Sequence, residues 1–373
     1  MNCLEIQKST GVLAMLAVAA VAGSCSDDGV VDAPDELGSF AVGHTMLTIV
    51  DAERDDRELR VDVWYPVDEA DATDGPFSEY SLQGLFSLAS EVAVDDLPVS
   101  SAGPHPLLVF SHGFGGINTQ STQLMEALAS HGFVIASPEH TGNTALDSSD
   151  DVPAEKRVPD VAVVIDRMFE RSNTTGDAFE SRIDEAKVGV LGHSFGGSTA
   201  LGTVAGFGGA EPDPRVKVIG VIAGGVGSDN FSEEALATVT APTILLVGTL
   251  DQSAVENHDY AFANMPNAEA LFKVEITGAN HTHFADVCAI GDFLLDLGLS
   301  QDQWPGLGAE ALIQPYNDTC TEDVYPIAEA HRLQNLYMVA HFKRYLLEQR
   351  GYDRFLSSAY AQANEPAVSF ITK

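Results

Sequence analysis

Residues 186–197 read Ala-Lys-Val-Gly-Val-Leu-Gly-His-Ser-Phe-Gly-Gly, and their reading decides the fold. Val188, Val190 and Leu191 make a short apolar run that predicts a buried strand. Gly192-His193-Ser194-Phe195-Gly196 follows without a break, and Ser198-Thr199-Ala200-Leu201 predicts the start of a helix. G-x-S-x-G between a strand and a helix is the setting in which the serine serves as a nucleophile. A turn that presents Ser194 is too tight for large neighbours, and Gly192 and Gly196 remove the side chains that would collide there. The turn would lift the hydroxyl above a sheet, at a helix N-terminus whose dipole favours developing negative charge. The plainer reading of the same residues is a structural glycine-rich turn.

Working outward, residues 47–51 and 59–66 alternate apolar and polar positions and predict an antiparallel pair at the sheet's edge. Residues 67–103 are acidic and irregular and read as an insertion with a short helix near 82–92. A strand at 106–110 leads into Ser111-His112-Gly113-Phe114-Gly115-Gly116. A helix at 119–131, stopped by Gly132, and a strand at 133–137 follow. Residues 144–157 are polar and are expected to form a mobile loop. Val161, Val164, Ile165, Met168 and Phe169 share one face of a helix at 159–171, with Pro159 in its first turn. Strands at 216–223 and 243–247, a helix at 253–264, a last strand at 271–277 and a long closing helix at 327–350 complete the pattern. Strands alternating with helices place the chain in the α/β class, with a mostly parallel central sheet and helices on both faces.

The N-terminus reads differently. Lys8 precedes the apolar run 11–23, which has the length of a signal segment and is too short to span a membrane. Ala22-Gly23-Ser24-Cys25 resembles a bacterial lipobox, with Cys25 as the lipidated residue. Ser26 after it resembles sorting to the outer membrane. Simple signal cleavage nearby, giving a periplasmic or secreted protein, is the alternative. The expected organisation is a signal peptide at 1–24, a tether at 25–40 and a catalytic domain at 41–373 with insertions near 67–103 and 289–319. Cys3 would leave with the signal, so Cys288 and Cys320 remain as a pair and are expected to form a disulfide in an oxidising compartment. Two free buried thiols are the alternative. With 55 acidic against 19 basic residues the net charge is −36, which rules against nucleic acid as a partner. Membrane contact is expected through the lipid anchor only.

In open α/β sheets chemistry gathers at the C-terminal ends of the strands. Phe114, Ser194, Asp251 and His281 all sit at such ends. Serine is a weak nucleophile at its own pKa and needs a base, the role expected of His281. Asp251 would hold the imidazole tautomer and stabilise its charged form. The backbone N–H groups of Phe114 and Phe195 would receive the oxyanion. Asp251 also reads as a helix N-cap, Asp286 is the rival acid and His283 the rival base. His193 reads as packing, and His112 and His140 as loop-shaping. No metal-binding spacing links these histidines and no nucleotide loop is present, so neither a metal nor another cofactor is implied.

With those residues in view, the chain resembles a known superfamily, the α/β-hydrolases, whose order Ser, Asp, His it shares. Residues 106–113, Glu139-His140, 192–197 and His281-Thr282-His283-Phe284-Ala285-Asp286 are similar to its platelet-activating-factor acetylhydrolase and predicted dienelactone hydrolase branch. Val63-Trp64-Tyr65-Pro66 and residues 335–345 are similar as well. Within that branch the His-x-x-Phe-x-Asp pattern implies His281 as the catalytic histidine. One departure concerns the acid, because Ile222-Ala223-Gly224-Gly225 holds no carboxylate where the eukaryotic acetylhydrolases carry theirs. Placing it at Asp251 resembles bacterial cutinases and polyester hydrolases. The resemblance implies a serine hydrolase cleaving small-molecule, lipid or polyester esters through an acyl-enzyme. Phospholipase A2-like acetylhydrolase and cutinase or polyester hydrolase activities are its variants, and a hydrolase-fold binding protein without turnover is the different class. Phe114, Phe195 and the loops at 139–157 and 252–257 are expected to line the acyl pocket.

Overall fold

The computed structural model describes residues 31–73 and 75–373. The expected signal segment and the proposed lipidation site Cys25 lie outside the described residues. Among the described residues eleven strands form one sheet: β1 Ala41–Asp51, β2 Arg57–Val67, β3 Phe77–Leu82, β4 Phe86–Asp95, β5 His105–Ser111, β6 Val134–Pro138, β7 Ile183–His193, β8 Val216–Ile222, β9 Thr243–Gly248, β10 Leu271–Ile276 and β11 Val368–Thr372. Their order is β11-β10-β9-β8-β7-β5-β6-β2-β1-β4-β3. The run from β10 to β6 is parallel throughout.

Alternation along each buried strand splits the core into two layers. Leu107, Val109, Val188 and Val190 face Val161, Val164, Ile165 and Met168 of the helix Pro153–Ser172. Leu108, Phe110 and Leu191 point the opposite way, toward Leu124 and Leu128 of the helix Thr122–Ser130 and Leu336, Met338 and Phe342 of the helix Ile327–Tyr345. A period-2 strand between two helical layers needs apolar residues at both parities, which is why these strands read as near-continuous apolar runs.

Several local expectations are corrected. The β1–β2 pair is antiparallel but not at the edge, because β4 pairs with β1 and β3 lies outside it. The helix expected near 82–92 is a hairpin instead. Gln83 and Gly84 adopt positive φ (54° and 75°) between paired Leu82 and Phe86, a three-residue turn that a helix cannot contain. The helix expected from Pro159 begins at Pro153, which takes the first-turn place, and Pro159 lies inside it. Burial of Arg157 and Val158 holds that extra stretch in place. The last strand is β11, which pairs antiparallel with β10 after the helix Ile327–Tyr345 has crossed the sheet. The expected tether is docked where it is described: the Gly38 N–H donates to Ser130 Oγ at 2.8 Å and Asp35 pairs with Arg332 at 2.8 Å.

Cys288 and Cys320 form a disulfide that closes a segment 32 residues long. That segment holds the helices Val287–Asp296 and Glu310–Thr319 and a 3-10 turn, Gln301–Leu307. Chain-entropy arguments put such a link at about 3 kcal/mol. Thermal melts with and without reductant should differ accordingly, and Cys288→Ser should remove the difference; equal melting temperatures would show that the link contributes nothing to stability.

Candidate active site

Ser194 follows the end of β7 and precedes the helix Phe195–Ala205 with φ 58° and ψ −122°, a backbone state reached only under constraint. Its N–H donates to the Ile222 carbonyl at 2.8 Å, which ties the turn to β8. A side chain at Gly192 would strike the Gly196 carbonyl, and one at Gly196 would strike the Ser111 carbonyl. The sequence therefore places glycine where backbone must touch backbone.

Three strand ends meet here. His281 Nε2 lies 2.9 Å from Ser194 Oγ, and His281 Nδ1 lies 2.5 Å from Asp251 Oδ2. The N-cap expected of Asp251 is present in the same carboxylate that meets His281, since its Oδ1 accepts the Ala254 N–H at 3.2 Å at the start of the helix Gln252–Asn264. Burial pushes the Asp251 carboxyl up, but the hydrogen bond and charge of His281, with the Ala254 N–H, hold it below its ordinary value.

The rivals lie elsewhere. Asp286 caps the helix Thr122–Ser130, accepting from Thr122 N–H and Oγ1 at 2.6 and 2.7 Å, and burial raises it to about 6. His283 is buried, with Nε2 2.9 Å from the Tyr325 carbonyl and Nδ1 3.0 Å from the Asn280 amide, so it shapes the turn that carries His281. His193 does more than pack. Its Nε2–H donates to the His281 carbonyl at 2.8 Å, its Nδ1 accepts from Gln120 at 3.0 Å, and its ring lies 4.8 Å from that of His281. The backbone N–H groups of Phe114 and Phe195 have no acceptor among the described residues.

Above Ser194 lies a cavity of about 310 Å³. Leu82, Leu85 and Phe86 of the β3–β4 turn form one wall, Ile117, Ala145 and Leu146 another, and Val287, Ile290, Leu294 and Leu312 of the disulfide-closed segment the third. The lining expected from 252–257 and from the Phe195 ring is corrected. That loop is not part of the wall, and the Phe195 ring packs on Phe207 and beneath Arg157. Both insertions instead cover the site, and Phe86 meets Phe293 across it. The covering segment is tied to the histidine turn by Thr282 and Thr319, whose hydroxyls are 2.6 Å apart.

Beneath the site sits a buried polar layer that includes His112 and His140, the two histidines expected to shape loops. Ser111 Oγ is 2.9 Å from His140 Nε2, and His140 Nδ1 is 2.9 Å from Asp160. Arg157, expected in a mobile loop, is buried in the same layer. Its spacing to Val161, Val164 and Met168 was the available signal: a cation on the apolar face of a helix.

The sheet and its crossovers define an α/β-hydrolase. The profile of the PET hydrolase-like family matches residues 73–293, more than half of the chain, and the chain belongs to that family. It is a carboxylic ester hydrolase. Cutinase 1 of Thermobifida cellulosilytica is 28% identical over 228 residues, covering 58% of this chain and 74% of that protein. Cutinase 2 of the same organism is 31% identical over 180 residues, 48% of this chain and 60% of its own length. Among solved structures, a ferulic acid esterase from Streptomyces cinnamoneus superposes with a TM-score of 0.63 at 24% identity, covering 89% of this chain and 96% of that one, a likeness of fold. Of the two branches that the sequence resembles, the family match falls on the polyester-hydrolase side.

Burial and the nearby Arg157 charge pull His140 down to about 4, against the hydrogen bond to Asp160. The unfolded chain therefore takes this proton first. The stability that the neutral ring contributes is whole above the ordinary value of 6.5 and is lost as pH falls toward about 4. Melting temperatures should drop through that window, and His140→Gln should make the drop shallower; an unchanged slope would place the proton uptake elsewhere.

Proposed function

We propose that this chain is an exported serine esterase that cleaves carboxylic esters through an acyl-enzyme. Ser194 is the nucleophile, His281 the base, Asp251 its orienting acid, and the N–H groups of Phe114 and Phe195 the oxyanion donors. The observation that carries this reading is the unbroken run from Asp251 through His281 to Ser194 at the floor of an apolar cavity.

In the first step Ser194 Oγ bonds to the ester carbonyl carbon while its proton passes to His281 Nε2. His281 Nδ1–H stays on Asp251, whose carboxylate remains ionised and stabilises the imidazolium. The carbonyl oxygen becomes an oxyanion facing the two N–H groups. Its collapse breaks the bond to the leaving alkoxide, which takes the proton from Nε2. Water then repeats the sequence on the acyl-enzyme and frees the acid and Ser194.

Leucine, isoleucine and phenylalanine walls favour an apolar acyl group. The two cutinases support ester bonds of hydrophobic polyesters as the substrate class. Cover from both insertions favours a discrete ester or a chain end over the interior of a polymer strand. The Cys288–Cys320 disulfide supports an oxidising compartment, and Cys25 is proposed as the lipid anchor.

p-Nitrophenyl esters from acetate to palmitate should show an optimum short of the longest chain. Ser194→Ala should lose at least about 1,000-fold in kcat. A fluorophosphonate probe should label Ser194 in the parent and not in the variant. Folded protein that is silent across the series and unlabelled would return the chain to the class of hydrolase-fold binding proteins.

A further inference from the structure

Arg157 is fully buried, and among the described residues no carboxylate accepts a hydrogen bond from it. Its four hydrogen bonds go to neutral oxygens: the His112 carbonyl, the Gly113 carbonyl at 2.9 Å, Asn143 Oδ1 at 2.6 Å and Ser111 Oγ at 3.3 Å. The guanidinium lies 4.6 Å from the centroid of the Phe195 ring. A charge taken out of water without an ionic partner is costly, so its placement requires a compensating use.

The geometry of one peptide supplies that use. The Gly113 carbonyl and the Phe114 N–H belong to the same peptide unit. The unit is trans, the cis bonds of the described chain being Gly75–Pro76 and Gly103–Pro104. In a planar trans peptide the C=O and N–H point in opposite directions. Arg157 grips the oxygen from below, so the N–H is turned to the other side. Ser194 is this peptide's neighbour, since a side chain added at Gly113 would come 3.4 Å from Ser194 Cβ, and Gly113, Phe114 and Ser194 line the same cavity. His112 Nδ1 at 2.8 Å and the Gly116 N–H at 3.1 Å bind the same oxygen, and Gln120 Oε1 holds the Gly113 N–H at 3.0 Å. A cation on the carbonyl oxygen also polarises the amide and strengthens its N–H as a donor.

The Ser111–His140–Asp160 run completes the arrangement. It has the residue types of a catalytic triad, yet all three side chains are buried and no substrate can reach them. Asp160 also accepts from Arg57 at 2.8 Å, and its bond to His140 Nδ1 leaves Nε2 as an acceptor. The Ser111 hydroxyl must then donate to Nε2, and the negative end of its dipole faces Arg157.

We propose that Arg157 is a positioning residue of the oxyanion hole. It orients the Phe114 N–H through the Gly113 oxygen and seats Phe195 through its ring, so that both donors are in place before substrate arrives. This rests on the reading of Ser194 as the nucleophile.

The test uses Arg157→Lys, Arg157→Met and Asn143→Ala, each checked for folding by circular dichroism and melting. Two readouts separate positioning from a general structural role. One is the kcat against KM split on the preferred p-nitrophenyl ester. The other is affinity for a trifluoromethyl ketone, which forms an oxyanion on Ser194, against the matching amide, which does not. Arg157→Met should lower kcat by about 10- to 100-fold at similar KM and weaken the ketone by the same factor, leaving the amide unchanged. Arg157→Lys, which keeps the charge without the two-pronged grip, should fall between it and the parent. Where Arg157→Met does not fold, Arg157→Lys and Asn143→Ala decide on the same readouts. Ketone affinity within about threefold of the parent in the folded variants, or a loss confined to KM, would overturn the proposal while fluorophosphonate labelling of Ser194 still stood. An unlabelled Ser194 in the parent would overturn the nucleophile reading and this proposal with it.

Discussion

Ser194 is held at φ 58° and ψ −122°, a backbone state that costs of the order of 1–3 kcal/mol, and most of the site's construction follows from holding it there. The turn is clamped on one side by β8, whose Ile222 carbonyl takes the Ser194 N–H, and on the other by β5, whose Ser111 carbonyl leaves no room for a side chain at Gly196. Only the middle of a parallel sheet offers both neighbours at once. β7 lies between β5 and β8, with apolar layers on both faces, so the constraint is enforced by the most deeply buried part of the fold.

Parallel strands also explain why the remaining groups converge. The loops after β5, β7, β9 and β10 leave the sheet at the same end and carry Phe114, Ser194, Asp251 and His281 respectively. Polar side chains then fix the loops after β5, β7 and β10 to one another. His193 holds the His281 carbonyl, Gln120 links His193 to the Gly113 amide, and His283 pins the turn around His281. In a low-dielectric interior such chains specify one arrangement strongly, because a broken member leaves its partner unsatisfied. The histidines flanking the site are therefore neutral framework, and burial that pulls His193 down to about 3 and His140 to about 4 keeps them so.

The two insertions change an open row of strand ends into a covered cavity. The β3–β4 turn brings Leu85 and Phe86 over the site from the β6 side, and the segment closed by Cys288 and Cys320 brings Ile290, Leu294 and Leu312 from the other. The cover is coupled to the His281 turn: the side-chain Nδ2 of Asn280, which precedes His281, donates to the Asp318 carbonyl at 3.0 Å. Substrate size and the posture of His281 thus share one structural element.

The sequence by itself determined the α/β class, the elbow at Ser194, the alternation that makes two cores, and the strand-end positions of Asp251 and His281. Those features are local: they depend on glycine sterics, on period-2 burial and on which residue follows a strand. What only the tertiary structure decided depends on residues far apart in the chain. The helix expected at 82–92 is a hairpin because β4 finds a partner in β1, and β11 exists because the chain end returns to β10. Arg157 read as a loop cation because its acceptors are remote in sequence: Asn143 lies 14 residues earlier and the two carbonyls 44 and 45. The walls of the cavity come from segments more than 200 residues apart, brought together by closure of the fold, and no periodicity within either segment encodes the other.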